Sequence, residues 1–301
     1  MGASMLSGMT HADCPDIDPA TLDRSALHLP VDAHKGSRGA VGILGGAAGM
    51  LGAAWLAGRA ALHGGAGRVY VGQIDPAAPA VDPLYPELML RRAEALFADD
   101  LPLTALVVGP GMGAAPPAAE LLATALGTSI PLLLDADALN LLARRADLVD
   151  RLHARPTRRV DPATTIITPH PGEAARLLNT MVESIQADRP AAARALAERC
   201  RCVAVLKGAG TLVAWLAEGA SLSYIRVVRN PTGSNRLATA GTGDVLSGLI
   251  GALLARGLDA PTAAQLGVWV HGRAGELLSA KQPTASGLLQ WVAAVAGKWR
   301  A

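Results

Sequence analysis

Aromatic residues are scarce in this chain. Its 301 residues include five Trp, three Tyr and one Phe, 3% in all, so the core must be assembled from Leu, Val and Ala with closely packed helices. Cysteine is scarcer still. Cys14, Cys200 and Cys202 are odd in number, and the Cys-Arg-Cys pair offers neither a disulfide framework nor zinc spacing. No apolar run reaches the ~18 residues of a membrane span. The first residues carry Asp13, Asp16 and Asp18 where a secretory signal would carry a basic and then an apolar stretch. Charge of one sign is also lacking: the net charge is +2, too small and too evenly spread for a nucleic-acid partner. The densest basic stretch, 151–159, reads as a solvated loop. Half the residues are hydrophobic and 17% are charged, which excludes a disordered chain. These absences lead to the expectation of a soluble, reduced, cytoplasmic protein.

What is present is an alternation of short apolar runs and helical patterns. Residues 40–46, 68–74, 104–109, 131–135, 164–168 and 202–207 read as strands, with Ala/Leu-rich helices near 50–63, 116–126, 136–152 and 172–178. This spacing predicts parallel β-α-β units with helices on both faces; the strands are continuously apolar, as strands covered on both sides should be. Residues 211–216 and 222–227 flank Glu218-Gly219 and predict a hairpin, hence an antiparallel edge. Residues 244–301 read as mostly helical. Residues 1–30 lack periodicity and read as an arm or partly ordered start, leaving 31–301 as a single domain.

Open parallel sheets bind ligands beyond the carboxyl ends of their strands. Here those ends carry Gly45-Gly-Ala-Ala-Gly49, Gly109-Pro-Gly-Met-Gly113, Asp135-Ala-Asp137, Thr168-Pro-His-Pro-Gly-Glu173 and Lys207-Gly-Ala-Gly-Thr211. The sharpest signal is Thr239-Ala-Gly-Thr-Gly-Asp244 before the apolar stretch 245–255. Gly241 and Gly243 permit a tight turn whose N–H groups point one way, and the helix adds its positive end, an arrangement suited to phosphate. Asp244 is an N-cap aspartate in the simplest reading. Beside a phosphate site, however, a carboxylate has a chemical task, taking the proton from a hydroxyl that attacks phosphorus. Gly109 to Ala114 also fits G-x-G-x-x-A, with Asp135 about twenty residues on, a weak dinucleotide fingerprint in which Pro110 sits awkwardly. No Walker motif surrounds Lys35 or Lys207.

Taken together, these segments resemble a known family. With His34-Lys-Gly-Ser-Arg-Gly39, Gly52-Ala-Ala54, Gly64-Gly-Ala-Gly67, Pro86-Glu-Leu-Met89 and Leu134-Asp-Ala-Asp-Ala-Leu-Asn140, the chain from about His34 to Gly275 is similar to the ADP-dependent NAD(P)H-hydrate dehydratases. These are the carboxy-terminal domain type of the YjeF proteins, in the ribokinase-like superfamily. The resemblance implies a three-layer α/β/α sandwich with a mostly parallel sheet. It also implies a repair lyase that dehydrates the S-epimer of hydrated NADH or NADPH, consuming ADP and releasing AMP and phosphate. By resemblance, Asp244 is the base and Gly241, Thr242 and Gly243 form the anion hole. Ala53, Gly111, Gly113, His170 and Asp244 contact the hydrated dinucleotide, while Lys207, Gly208, Ala209, Gly210, Thr211 and Gly243 contact the nucleotide. Mg2+, a homotetramer and a separate epimerase as pathway partner are implied as well.

Blander roles stand beside these. His170 between two prolines is also a turn residue, and Lys207 is also a strand-end lysine whose ammonium reaches out to water. Asp135 and Asp137 read as caps for a helix at 138–152, and any part they or Asn140 play in a site stays open. Glu173 reads as a first-turn acid. The family pattern Asn-Pro-Gly-Met-Ala is replaced by Ser234-Asn-Arg-Leu-Ala238, and Ala240 stands where Gly is frequent. The alternative on the same fold is a small-molecule kinase for a hydroxymethylpyrimidine, a thiazole alcohol or a sugar.

Overall fold

A computed structural model describes residues 14–25, 37–155, 164–218, 223–281 and 283–298. Lys35, the expected turn at Gly219 and the end of the basic stretch, 156–159, lie outside them. Strands β1 (Ala40–Gly45), β2 (Arg68–Gln73), β3 (Met89–Arg92), β4 (Ala105–Val108), β5 (Leu132–Leu134), β6 (Thr165–Ile167), β7 (Val203–Leu206), β8 (Leu212–Glu218) and β9 (Ser223–Arg229) form one sheet. Their order is β3-β2-β1-β4-β5-β6-β7-β8-β9. All neighbours pair in parallel as far as β7; β8 and β9 then pair antiparallel. The sequence foresaw the antiparallel edge but not β3, a four-residue edge strand ending in two arginines.

Ten helices accompany the sheet among the described residues: α1 (Leu51–His63), α2 (Pro116–Leu126), α3 (Asp137–Arg144), α4 (Ala146–His153), α5 (Pro171–Leu178), α6 (Val182–Ala187), α7 (Arg189–Cys200), α8 (Thr242–Ala255), α9 (Ala260–Leu277) and α10 (Ala285–Gly297). Successive strand residues point to opposite faces. Leu44, Leu106, Leu132 and Leu134 therefore pack with α2 to α7, while Val41, Ile43, Val107 and Leu133 pack with α1, α8 and α9. α10 closes over α1, α8 and α9. No helix among the described residues is long and apolar enough to cross a membrane.

Three expectations need correction. The helix expected over 136–152 is two helices, because Arg145 is extended (φ −130°, ψ 99°) and its guanidinium clasps Asp147. Arg155, expected on a solvated loop, is buried and donates to the carbonyls of Ala125, Leu126 and Ile130, so it closes the end of α2. Asp135 caps nothing: α3 begins at Asp137 and has no side-chain cap. Within the expected N-terminal arm, residues 15–17 run beside β9, with Ile17 N–H donating to the Arg229 carbonyl and the Arg229 guanidinium held by Asp16.

Candidate active site

The loops of interest gather where the parallel strands end. The N-cap of α8 is Gly241, whose φ of +86° is the left-handed conformation that favours glycine. A Cβ there would also stand 2.6 Å from Leu56 of α1. Gly243, expected in the same turn, is instead ordinary helix. A Cβ there would make ordinary contact, 3.5 Å from Lys207 Nζ, which places the ammonium beside this residue. No side chain caps α8, so first-turn N–H groups remain for an anion. The Thr242 N–H turns back to Thr239 O at 3.3 Å, and the Thr242 hydroxyl donates to Leu237 O and Thr239 O.

Asp244 is therefore the third residue of α8, not its N-cap. Burial first, and then the negative charge of Asp135, push its pKa up to about 7, with Lys207 opposing. A carboxylate that changes charge near neutrality is suited to take a proton and pass it on.

Behind Asp244 stands a cluster of charged side chains. Lys207, at the end of β7, is a partly buried ammonium held 2.7 Å from Asp135 Oδ1 and 3.9 Å from Glu173 Oε2. Burial acts to lower its pKa, but Asp135, Glu173 and Asp244 outweigh this and raise it. The role of Lys207 as a solvent-reaching strand end is thereby excluded. Asp135 Oδ2 accepts from Ser247 Oγ at 2.6 Å. Between Asp135 and Asp137, Ala136 has a φ of +51°. This strained residue turns Asp135 to the interior and leaves Asp137 Oδ2 to accept from the Gly113 N–H at 2.8 Å.

His170 is the N-cap of α5. Its Nδ1 accepts from the Gly172 and Glu173 N–H groups, and Glu173 Oε2 accepts from the His170 N–H, a reciprocal capping box. Two backbone donors at Nδ1 leave the ring proton on Nε2, 3.4 Å from Glu173 Oε1. Burial, aided by Lys207 and Arg176, lowers the His170 pKa. Glu173 is more than a first-turn acid: it is buried, and burial pushes it up to about 7.

The expected residues fall into two groups. Lys207 to Thr211 line a cavity of about 710 Å³ together with Thr242, Gly243 and residues 229–235. Ala53, Gly111 and Gly113 lie elsewhere, at the ends of β1 and β4. There Ala53 occupies the first turn of α1 and Gly111 rests against Met50 and Ala53. His271, which the sequence did not single out, also lines the cavity. Its Nε2 contacts the Thr242 carbonyl at 2.9 Å. A carbonyl only accepts, so Nε2 carries the proton, and burial lowers the ring's pKa to about 4.

The unusual loop at 234–238 is bound to α9. Asn230 donates to Val268 O, Thr232 to Trp269 O, Ser234 to Gly275 O, and Arg236 to the carbonyls of Glu276 and Leu278. Arg236 thus places a cation at the negative end of α9.

With this geometry the chain can be compared with known proteins. The sequence profile of the NAD(P)H-hydrate dehydratase family matches residues 41–293. The ADP-dependent (S)-NAD(P)H-hydrate dehydratase of Neisseria meningitidis is 42% identical over 271 residues, 89% of this chain and 86% of the relative. The bifunctional NAD(P)H-hydrate repair enzyme of Coxiella burnetii is 43% identical over 81% of this chain, which spans 47% of that enzyme. The ADP/ATP-dependent NAD(P)H-hydrate dehydratase of Bacillus subtilis, co-crystallised with ATP and Mg2+, superposes with a TM-score of 0.76 at 29% identity, covering 96% of this chain and 99% of the other. A hydroxyethylthiazole kinase from Pyrococcus horikoshii, at TM-score 0.56 and 17% identity, shares the fold alone. A profile match over most of the sheet and its helices, and relatives above 40% identity along most of the chain, lead to one conclusion: the chain belongs to the NAD(P)H-hydrate dehydratase family, on a ribokinase-like α/β/α fold.

Proposed function

We propose that the chain is a lyase that repairs hydrated NADH or NADPH, with ADP as co-substrate. Asp244 takes the proton from the ring hydroxyl of the S-hydrate as that oxygen attacks the terminal phosphorus of ADP. AMP departs, and the transferred phosphoryl group rests against the amides that open α8. Phosphate is a far better leaving group than hydroxide. The ring nitrogen lone pair expels it, and loss of a proton from the neighbouring carbon restores the dihydronicotinamide. Hydrate and ADP give NAD(P)H, AMP and phosphate, the lost water oxygen leaving in the phosphate.

The observation that carries this reading is the placement of Asp244 in the uncapped first turn of α8, with its pKa raised to about 7. Lys207 to Thr211 and Gly243 hold the nucleotide in the 710 Å³ cavity. Ala53, Gly111, Gly113 and His170 hold the hydrated dinucleotide, His170 offering Nε2–H as a neutral donor. Mg2+ accompanies the nucleotide and neutralises its phosphates when bound. Among the described residues no group of three or more His, Cys, Asp or Glu side chains is arranged to hold a metal. The expected setting is cytoplasmic, as a homotetramer, with a separate epimerase interconverting the hydrate epimers; light scattering measures the assembly.

The test is to incubate purified protein with Mg2+, ADP or ATP, and hydrated NADH or NADPH. Return of dihydronicotinamide absorbance with free phosphate is expected. No return on either hydrate with either nucleotide would sink the reading. A phosphorylated product in place of free phosphate would mark a kinase.

A further inference from the structure

Three carboxylates compete for one ammonium in this site. Lys207 faces Asp135 from the end of β5, Glu173 from α5 and Asp244 from α8. Asp137 on α3 adds a further negative charge near Asp244. A lysine head on a flexible stem settles against whichever anion is best fixed. Were that anion Asp244, the proposed base would be neutralised. The structure arranges otherwise. Asp135 is 1% exposed and has both oxygens engaged, Oδ1 by Lys207 at 2.7 Å and Oδ2 by Ser247 Oγ at 2.6 Å. Ser247 lies one turn beyond Asp244 on α8, and its hydroxyl is also 3.1 Å from the Gly243 carbonyl. One buried carboxylate thus ties the end of β7 to the start of α8, and the strained Ala136 aims it there.

We propose that Asp135 is a positioning residue that draws Lys207 away from Asp244 and sets its ammonium beside Gly243, with Ser247 locking the second carboxylate oxygen. The proposal rests on the reading of Asp244 as the base. Lys207 then serves the migrating phosphoryl group and leaves Asp244 able to accept a proton. Without Asp135 the ammonium turns to Asp244 and Glu173.

Asp135→Asn and Ser247→Ala test this. Asp135→Asn is expected to lower kcat on the order of 100-fold and to move the acid limb of the pH–kcat profile to lower pH. The limb moves because Asp244 loses a negative neighbour and gains a cation. Ser247→Ala keeps every charge and is expected to change kcat and the limb in the same sense but less. The second readout needs no substrate. Competitive acetylation at fixed pH, followed by peptide mass spectrometry, compares Lys207 with Lys281 and Lys298. Lys207 is expected to become several-fold more reactive in Asp135→Asn, having lost its closest anion. A fall in kcat with an unmoved acid limb and unchanged acetylation would leave Asp135 a merely structural residue and overturn the proposal. If the wild-type protein turned over neither hydrate, the reading of function would fail, while acetylation would still decide whether Asp135 holds Lys207.

Discussion

Asp244, partly buried in the first turn of α8, and His271, buried on α9 against the Thr242 carbonyl, shift their ionisation in opposite directions. Asp244→Asn is expected to cut turnover roughly 10²–10⁴-fold, the range of a general base, with nucleotide affinity by calorimetry largely retained. The same change should stabilise the fold at pH 8. The unfolded aspartate ionises near the ordinary value of 3.8, whereas the folded one holds its proton to about 7. Between those values the folded state binds more protons, so stability falls as pH rises, and above pH 7 the full cost remains. Removing the charge should recover roughly 2–4 kcal/mol, read as a raised midpoint in denaturant at pH 8 but not at pH 4. His271 has the opposite sign. It is lowered from 6.5 to about 4, so its contribution is present above pH 6.5 and lost as pH falls through 4. His271→Gln should flatten that acid loss in a pH series of thermal melts. The helix start at Gly-Thr-Gly-Asp was legible because a glycine turn before a long apolar run marks one by residue type. His271 was not, since one histidine within an apolar helix reads as core until Thr242 is seen to bond it. Asp135 was noticed, but its partners lie 72 and 112 residues away in sequence.

Helices α1 and α8 touch backbone to backbone. A Cβ on Gly248 would run into the carbonyl of Ala57, so the pair depends on that missing atom. Gly248→Ala should force the helices apart at a cost of roughly 1–3 kcal/mol or more, measured by denaturant unfolding. Because α1 carries Ala53 and α8 carries Asp244, turnover should fall along with stability. Most strands were legible because burial on both faces leaves an unbroken apolar run. β3 was not: it is short, and Arg91 and Arg92 at the sheet edge break the pattern. α7 was overlooked although its signals are present, with Asp188 capping the Ala191 N–H and proline in the first turn. The division of α3 from α4 left no mark, because the apolar spacing continues across Arg145 while the backbone does not.

At the scale of the molecule, the parallel pairing followed from the alternation of strand and helix and the antiparallel edge from the hairpin pattern at 211–227, whereas the strand order was not foreseen. The use of residues 15–17 to cover β9 did not. Nothing in their composition distinguishes a docked segment from a loose one; the docking shows in Ile17, 3% exposed, and in the Asp16–Arg229 pair. Removing residues 1–22 should uncover the backbone of Arg229 at the end of β9. Expected results are a thermal midpoint lower by several degrees for a loss of about 1–2 kcal/mol, and greater self-association by light scattering, as unpaired edges invite it. The anchoring of Thr232 to Trp269 reaches further. Val268 and Thr232 face the cavity, and the next indole lies 6.0 Å from the Arg273 guanidinium. On the proposed reading ADP fills this cavity, and through the Thr232 anchor it is expected to alter the surroundings of Trp269, one of five tryptophans. Intrinsic emission should change on titration with ADP, and Trp269→Phe should abolish the signal without abolishing binding, so the fold carries its own optical gauge of occupancy.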